Sequence, residues 1–206
     1  PNVVYQVGAA GGKEVKENNI AAWLTPALNI HRSPLCGRNF EYYSEDPLLA
    51  GVLAGAMVKG IQSQGVAATV KHFALNNKET DRKHSDSRVS ERAAREIYLK
   101  AFEYVIKGAK PWAVMSSYNI INGCYASENK ELLEDILRDE WGFDGMVTTD
   151  WWTLGEHYKE VKAGNDMKMA CGDPKRLKEA MDQGLLTRQD LEHCAERVLN
   201  LILKLD

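Results

Sequence analysis

The sequence predicts an α/β fold, a (β/α)8 TIM-type barrel that is incomplete within this chain. Three observations lead there. Short apolar runs, partly β-branched, alternate with longer segments of helical period, the pattern of buried parallel strands joined by crossover helices. Each run is followed by reactive side chains: Asn29, His31 and Arg32; Lys71 and His72; Ser117, Tyr118 and Asn119; and Asp150. Chemistry drawn from the ends of many strands is the habit of a barrel, whereas a doubly wound sheet uses one crevice. Finally, no GxGxxG or P-loop follows any run, so a nucleotide crevice has no cradle.

The elements follow in order. Residues 3–16 read as an opening helix and 22–25 as a strand, ended early by Pro26, which has no N–H for the ladder. After Ser44, the residues Leu49, Val52, Leu53, Ala56, Met57, Gly60 and Ile61 recur in steps of three and one. That spacing stacks them on one helical face, with Pro47 in the first turn and Gly65 closing the end. The run 66–70 is the next strand. Ser90 caps a helix carrying Ala94, Ile97, Tyr98, Ala101, Phe102, Val105 and Ile106, and 112–115 is a strand again. A helix on Leu132, Leu133, Ile136 and Leu137 leads through Asp144 and Gly145 into the strand 146–149. A further short strand is expected at 166–170, then a helix from Pro174 to Gly184. The last helix starts at Thr187, with Asp190 three residues on, and carries Leu191, Cys194, Ala195, Val198, Leu199 and Ile202. This makes about five strands against the eight of a closed barrel, which takes about 250 residues. The expectation is a single partial domain over 1–206, truncated on its N-terminal side, where the helix 3–16 has no strand before it.

Composition narrows the function. The chain has 206 residues, 26 Lys and Arg against 29 Asp and Glu, and a formal net charge of -3, so nucleic-acid binding has no electrostatic footprint. No apolar run approaches the ~20 residues that cross a bilayer. Four scattered cysteines (Cys36, Cys124, Cys171, Cys194) without a CxxC pair point to free thiols in a reducing, cytoplasmic compartment. Secretion stays open, because the chain does not begin with Met. The five histidines never pair at a metal-ligand spacing, and no metal or cofactor is expected.

Among the reactive positions, Asp150 ends the run 145–149 and is followed by Trp151 and Trp152. It is either a carboxylate at a catalytic barrel mouth, with an aromatic platform beside it, or a helix N-cap aspartate. Lys71 and His72 follow their strand in the same way. They are either a cation and imidazole turned into the mouth, or a surface lysine beside a core histidine. Arg38, in the charged and aromatic stretch 37–47, offers a planar fork for hydroxyls or a carboxylate, or else a local ion pair. Met115 and Tyr118 are by themselves ordinary packing residues.

The series Gly-Arg-Asn-Phe-Glu at 37–41 with Glu45-Asp46-Pro47, then Lys71-His72-Phe73, Met115-Ser116-Ser117-Tyr118-Asn119 and Thr149-Asp150-Trp151 resembles the N-terminal barrel of glycoside hydrolase family 3, of the β-glucosidase-like type. The resemblance spans about 3–205. It implies Asp150 as the nucleophile, Arg38, Lys71, His72, Met115 and Tyr118 as contacts to the terminal sugar, and Trp151 near the leaving group. It further implies an exo-acting retaining β-glycosidase working through a covalent glycosyl-aspartate on terminal non-reducing β-linked sugars. The family's additional sugar-binding aspartate belongs before Val3, and the general acid/base of β-glucosidase-like members comes from a second α/β domain, so both are expected elsewhere in the polypeptide. The loop 74–82 resembles the β-glucosidase type, which leaves His84 a weak acid/base candidate. On this reading Lys71 and Arg38 lower the Asp150 pKa, and the isolated chain is inactive without its partner segments. Two alternatives remain at this point: a Schiff-base aldolase using Lys71, and an inactive sugar-binding or structural barrel fragment. Which sugar is taken is not fixed.

Overall fold

The computed structural model describes residues 1–205. Helix α1 (Asn2–Glu17) packs across α2 (Pro47–Gln62) with backbones nearly touching. A Cβ on Gly8 would lie 2.6 Å from the Met57 carbonyl oxygen, and one on Gly60 only 2.2 Å from that of Tyr5. Only glycine fits such a crossing. Asp46 caps α2, its Oδ1 accepting from Leu48 N (2.7 Å) and Leu49 N (3.2 Å). The expected apolar stripe of α2 is corrected here. Met57, Gly60 and Ile61 are buried as expected, but Leu49 and Val52 are exposed, and Ala50, Gly51, Ala54 and Val58 are buried in addition. At Gly51 and Gly60 the neighbouring elements approach so closely that no Cβ fits without displacement.

Between these helices the chain forms β1 (Ala22–Trp23), and after α2 comes β2 (Ala67–Phe73). Then follow the short β3 (Asp86–Ser87), α3 (Glu91–Ala93), a π-helical turn (Ala94–Tyr98), α4 (Lys100–Ala109) and β4 (Ala113–Ser116). Ser90 caps α3 as expected, accepting from Ala93 N. The π-turn shifts the helical phase: Leu99 N bonds Ala94 O at 2.8 Å, Leu99 is buried, and Ile97, expected on the apolar stripe, is exposed. A hairpin of β5 (Ile120–Ile121) and β6 (Cys124–Tyr125) precedes a π-helix (Glu131–Glu140) that buries the expected Leu132, Leu133, Ile136 and Leu137. Last come β7 (Met146–Thr149), α5 (His157–Lys162), α6 (Pro174–Asp182) and α7 (Arg188–Leu205).

The main sheet has the order β1-β2-β4-β7, every pair parallel. It is a barrel segment, with Val70, Val114 and Val147 in the helix-side core around Phe73, Phe102 and Trp141. The strand expected at 166–170 is reduced to a bridge, Thr148 to Met167, so the sheet has four strands beside that bridge. In the small sheet β3-β5-β6 the hairpin turns at Asn122-Gly123, both at positive φ (49° and 91°), an Asn-Gly signal present in the sequence, whereas the parallel addition of β3 has no local signature.

At the N-terminal ends of the strands, Leu201 of α7 packs on Ala67, Ala113 and Met146. Thr187 and Asp190 form the capping exchange expected at the start of α7, with bonds of 2.8 and 3.2 Å between each backbone N–H and the other's side chain. Its stripe is rotated from expectation: Cys194 and Leu201 are buried, while Ala195, Leu199 and Ile202 face outward. The helix tucks its end under the barrel, so the seam follows the barrel floor and not the strongest apolar period.

Candidate active site

The site lies at the C-terminal ends of β2, β4 and β7. Its geometry starts with an irregularity in β2. Pairing to β4 runs Thr69 to Ala113 and Val70 to Val114, then jumps to Phe73 opposite Ser116. Strict alternation would place Val70 and Phe73 on opposite faces. The shifted register returns Phe73 to the helix-side core and leaves both Lys71 and His72 for the mouth. The apolar run 66–70 predicts these two just beyond the strand. They are within it, and the bulge does what the end of a strand was expected to do.

His72 is held from both sides of its backbone by Asn29, whose Oδ1 accepts from His72 N (2.8 Å) and whose Nδ2 donates to His72 O (2.9 Å). Its ring is almost fully buried, edge-on to Tyr42 with centroids 6.4 Å apart. Burial, helped by the charges of Arg38, Lys71 and Arg82, holds the imidazole pKa well below 6.5. It is neutral.

Asp150 follows β7 and is 6% exposed. Its N–H bonds Ser116 O at 3.2 Å, and its Oδ1 accepts from Trp151 N at 2.7 Å. Its Oδ2 lies 3.8 Å from His72 Nε2 and has no hydrogen-bond partner among the described residues. Burial raises the carboxyl pKa above 3.8, against the Trp151 N–H, the Tyr118 hydroxyl and the Arg38 and Arg82 charges, which pull it down. This corrects the expectation that the cations would lower it. Desolvation outweighs them, and the cations have partners of their own. Arg38 is hydrogen-bonded to Glu41, and Lys71 Nζ stands 3.7 Å from the same carboxylate.

Tyr118, beyond β4, is pushed up to about 12 by burial and by Asp150 beside it, so it stays a phenol. Two cations of the loop after β2 cover its ring: the Arg82 guanidinium at 4.5 Å and the Lys83 ammonium at 5.0 Å from the centroid. Lys83 also donates to Trp152 O at 2.9 Å. Met115 pairs with Thr148 in the ladder and is 1% exposed. It sits in the sheet two residues below the level of Asp150, part of the floor. Trp151 is half-buried and Trp152 stands 63% exposed.

The structure thus gathers Asp150, His72, Tyr118, Lys71, Arg38 and Trp151 at one end of the sheet, with Met115 beneath. It adds Glu41, Arg82 and Lys83, for the last two of which the density of cations in the loop after β2 is the available signal, and it gives Asn29, expected only as a polar residue after its strand, the task of holding the His72 backbone. His84 points elsewhere. It is exposed and bonded to Asp81 Oδ1 at 2.8 Å. Glu79 is engaged by Arg82 (2.9 Å) and Asn76 (3.2 Å). A cleft of about 590 Å³, lined by Arg32, Cys36, Glu79, Asp86 and Tyr98 among others, opens beside this pocket and does not include Asp150. Among the described residues no three His, Cys, Asp or Glu side chains converge to hold a metal ion, and no helix is long and apolar enough to cross a membrane.

Residues 1–201 match the family described as Glycosyl hydrolase family 3 N terminal domain. Beta-glucosidase A of Butyrivibrio fibrisolvens is 65% identical over 191 residues, which are 93% of this chain and 23% of that protein. An exo-alpha-(1->6)-L-arabinopyranosidase of Bifidobacterium longum is 45% identical over 99% of this chain and 27% of its own length. Among solved structures, beta-glucosidase 3B of Thermotoga neapolitana in complex with glycerol superimposes with a TM-score of 0.95 at 48% identity, over 98% of this chain and 30% of that one. The chain therefore spans about a quarter of the length of the curated relatives it matches.

Proposed function

Because this chain belongs to glycosyl hydrolase family 3, we propose that it supplies the nucleophile and glycone pocket of an exo-acting retaining β-glycosidase of the β-glucosidase-like kind. The observation that carries this reading is the free Oδ2 of Asp150, buried at a strand end beside a neutral imidazole. A carboxylate with one oxygen anchored and the other desolvated and unpartnered is arranged to attack. Its raised basicity strengthens it as a nucleophile. In the first step Oδ2 bonds to the anomeric carbon as the glycosidic bond breaks and the leaving oxygen takes a proton. In the second, water displaces the aspartyl ester with a second inversion, so the product keeps the configuration of the substrate.

Arg38, Lys71 and His72 line the glycone side, where donors to ring hydroxyls strengthen as the oxocarbenium-like transition state forms. Met115 forms the floor, Tyr118 stands by Asp150, and Trp151 serves the leaving-group side. Glu41 and Glu79 are each engaged by cations, so neither stands free as the general acid. We assign the acid/base, and a further aspartate for the terminal sugar, to other parts of a longer polypeptide that includes a second α/β domain. The Schiff-base reading of Lys71 is set aside, since its ammonium is directed to Glu41. The four unpaired thiols favour a reducing, cytoplasmic location.

The experiment is hydrolysis of aryl and alkyl β-glycosides by the full polypeptide and by residues 1–206 alone. The anomer first released should be β for the full polypeptide, and the shorter chain should leave alkyl glycosides untouched. Inversion of configuration would defeat the assignment of Asp150 as nucleophile. Robust alkyl-glycoside hydrolysis by the shorter chain would place the acid within it.

A further inference from the structure

Trp152 combines two features that cost stability. Its backbone lies in the left-handed region at φ 51°, an uncommon conformation for a bulky residue, and its indole is 63% exposed. The surrounding structure holds it there firmly. Trp152 N bonds Met169 O at 2.9 Å, and Trp152 O accepts from Lys83 Nζ at 2.9 Å. On its C-terminal side, Thr153 Oγ1 donates to the fully buried Glu160 at 2.6 Å and accepts from Lys168 Nζ at 3.0 Å, while Lys168 is itself ion-paired with Glu160. On its N-terminal side, Trp151 N is bonded to Asp150. The loop is thus pinned before, at and after the one tryptophan of this chain whose side chain is left largely in solvent.

We infer that Trp152 is a specificity-determining residue, a preset aromatic platform for the leaving group of the substrate. The inference rests on the glycosidase reading above. The free oxygen of Asp150 is deep, so the sugar it attacks fills the depth of the pocket, and the group bonded to its anomeric carbon must project outward. Trp152 follows Asp150 by two residues beyond the end of β7, and its carbonyl accepts from Lys83, whose ammonium lies over the Tyr118 ring beside Asp150. An indole fixed in that place presents an apolar face to an aryl ring or to the C–H face of a second sugar, without the entropy of ordering a loop on binding.

The test uses the full polypeptide, with Trp152→Ala and Trp152→Phe beside the wild type. For phenyl β-glucoside and for a β-linked disaccharide, kcat/KM should fall about tenfold or more in Trp152→Ala and recover largely in Trp152→Phe. The inhibition constant of an iminosugar the size of glucose, which reports the glycone pocket and the integrity of the fold, should stay within about twofold. Equal losses in both measurements, or no loss in kcat/KM, would overturn the inference. In the wild type, oxidation by N-bromosuccinimide mapped by peptide mass should be blocked at Trp152 by phenyl thioglucoside at a concentration that inhibits fully, and not by glucose. Protection by both or by neither overturns it as well. A wild type that hydrolyses no β-glycoside would remove the reading beneath the inference and the inference with it.

Discussion

Two buried aspartates flank β7, and they differ in what surrounds them. Asp166, beside the start of the strand, has a fully buried side chain whose oxygens accept from Val147 N (2.7 Å), Arg138 (2.8 Å) and Arg197 (3.2 Å). Asp150, just past the other end, is nearly as buried, yet one oxygen has no hydrogen-bond partner among the described residues. Burial raises the pKa of both. Desolvation therefore does not distinguish the anchor from the proposed nucleophile; saturation of the carboxylate does. The first carboxylate ties β7 to the π-helix and α7, since Arg138 also donates to Gly145 O (2.9 Å) and Arg197 reaches Glu134 (3.1 Å). The second is held by the Trp151 N–H with the Tyr118 hydroxyl beside it, and its Oδ2 has no hydrogen-bond partner among the described residues.

The contrast is broken most severely by Asp150→Asn, which should cut turnover of the full polypeptide by ~10⁴-fold or more while the protein still folds. Steady-state kinetics beside a circular dichroism spectrum checks both halves. Asp166→Ala should do the reverse. It leaves the buried Arg138 without its main counter-charge and should cost about 3–5 kcal/mol in urea unfolding, with activity per folded molecule retained. Lys71→Ala should lower kcat/KM by ~10–100-fold with a fall in kcat, because its contact strengthens in the transition state. A modestly raised KM at full kcat would reduce Lys71 to a partner of Glu41.

His72 sharpens the comparison through pH. Its folded pKa is well below 6.5, so below pH 6.5 the unfolded chain binds a proton that the folded chain does not. Stability should then fall as pH drops through that window, by up to about 1.4 kcal/mol per pH unit. In His72→Gln the slope should shrink by one proton, the residual part including His157, which is depressed in the same direction. Unfolding midpoints at several pH values measure it. The smallest effect belongs to Asp150→Asn again. A raised carboxyl pKa means that ionisation above pH 3.8 weakens the fold, so the variant should be more stable than the wild type at neutral pH and no more stable below pH 3.8.

Much of this was legible in the sequence because it is periodic or local. The runs 66–70, 112–115 and 146–149 are continuous and apolar, and each became a strand of the barrel sheet. The Thr187 and Asp190 exchange needs only a spacing of three. The family motif gathered Arg38, Lys71, His72, Tyr118 and Asp150 before any coordinates did. What escaped is non-local. Asn29 locks His72 across 43 residues, and the bulge in β2 follows from its register against β4. The exposure of Leu49, Val52 and Ile97 came from a neighbouring backbone or a π-turn overriding the apolar period. The pKa direction of Asp150 is not legible, because charges are visible in a sequence and desolvation is not.

The central claim is that the unpartnered oxygen of Asp150 forms the bond to sugar. The most direct measurement is mechanism-based labelling of the full polypeptide with a 2-fluoro β-glucoside bearing a good leaving group, followed by peptide mapping. The fluoroglucosyl group should be found on Asp150 at one equivalent, with activity lost in step, and Asp150→Asn should take up none. Label on any other carboxylate, or stoichiometric labelling of Asp150→Asn, would contradict the account.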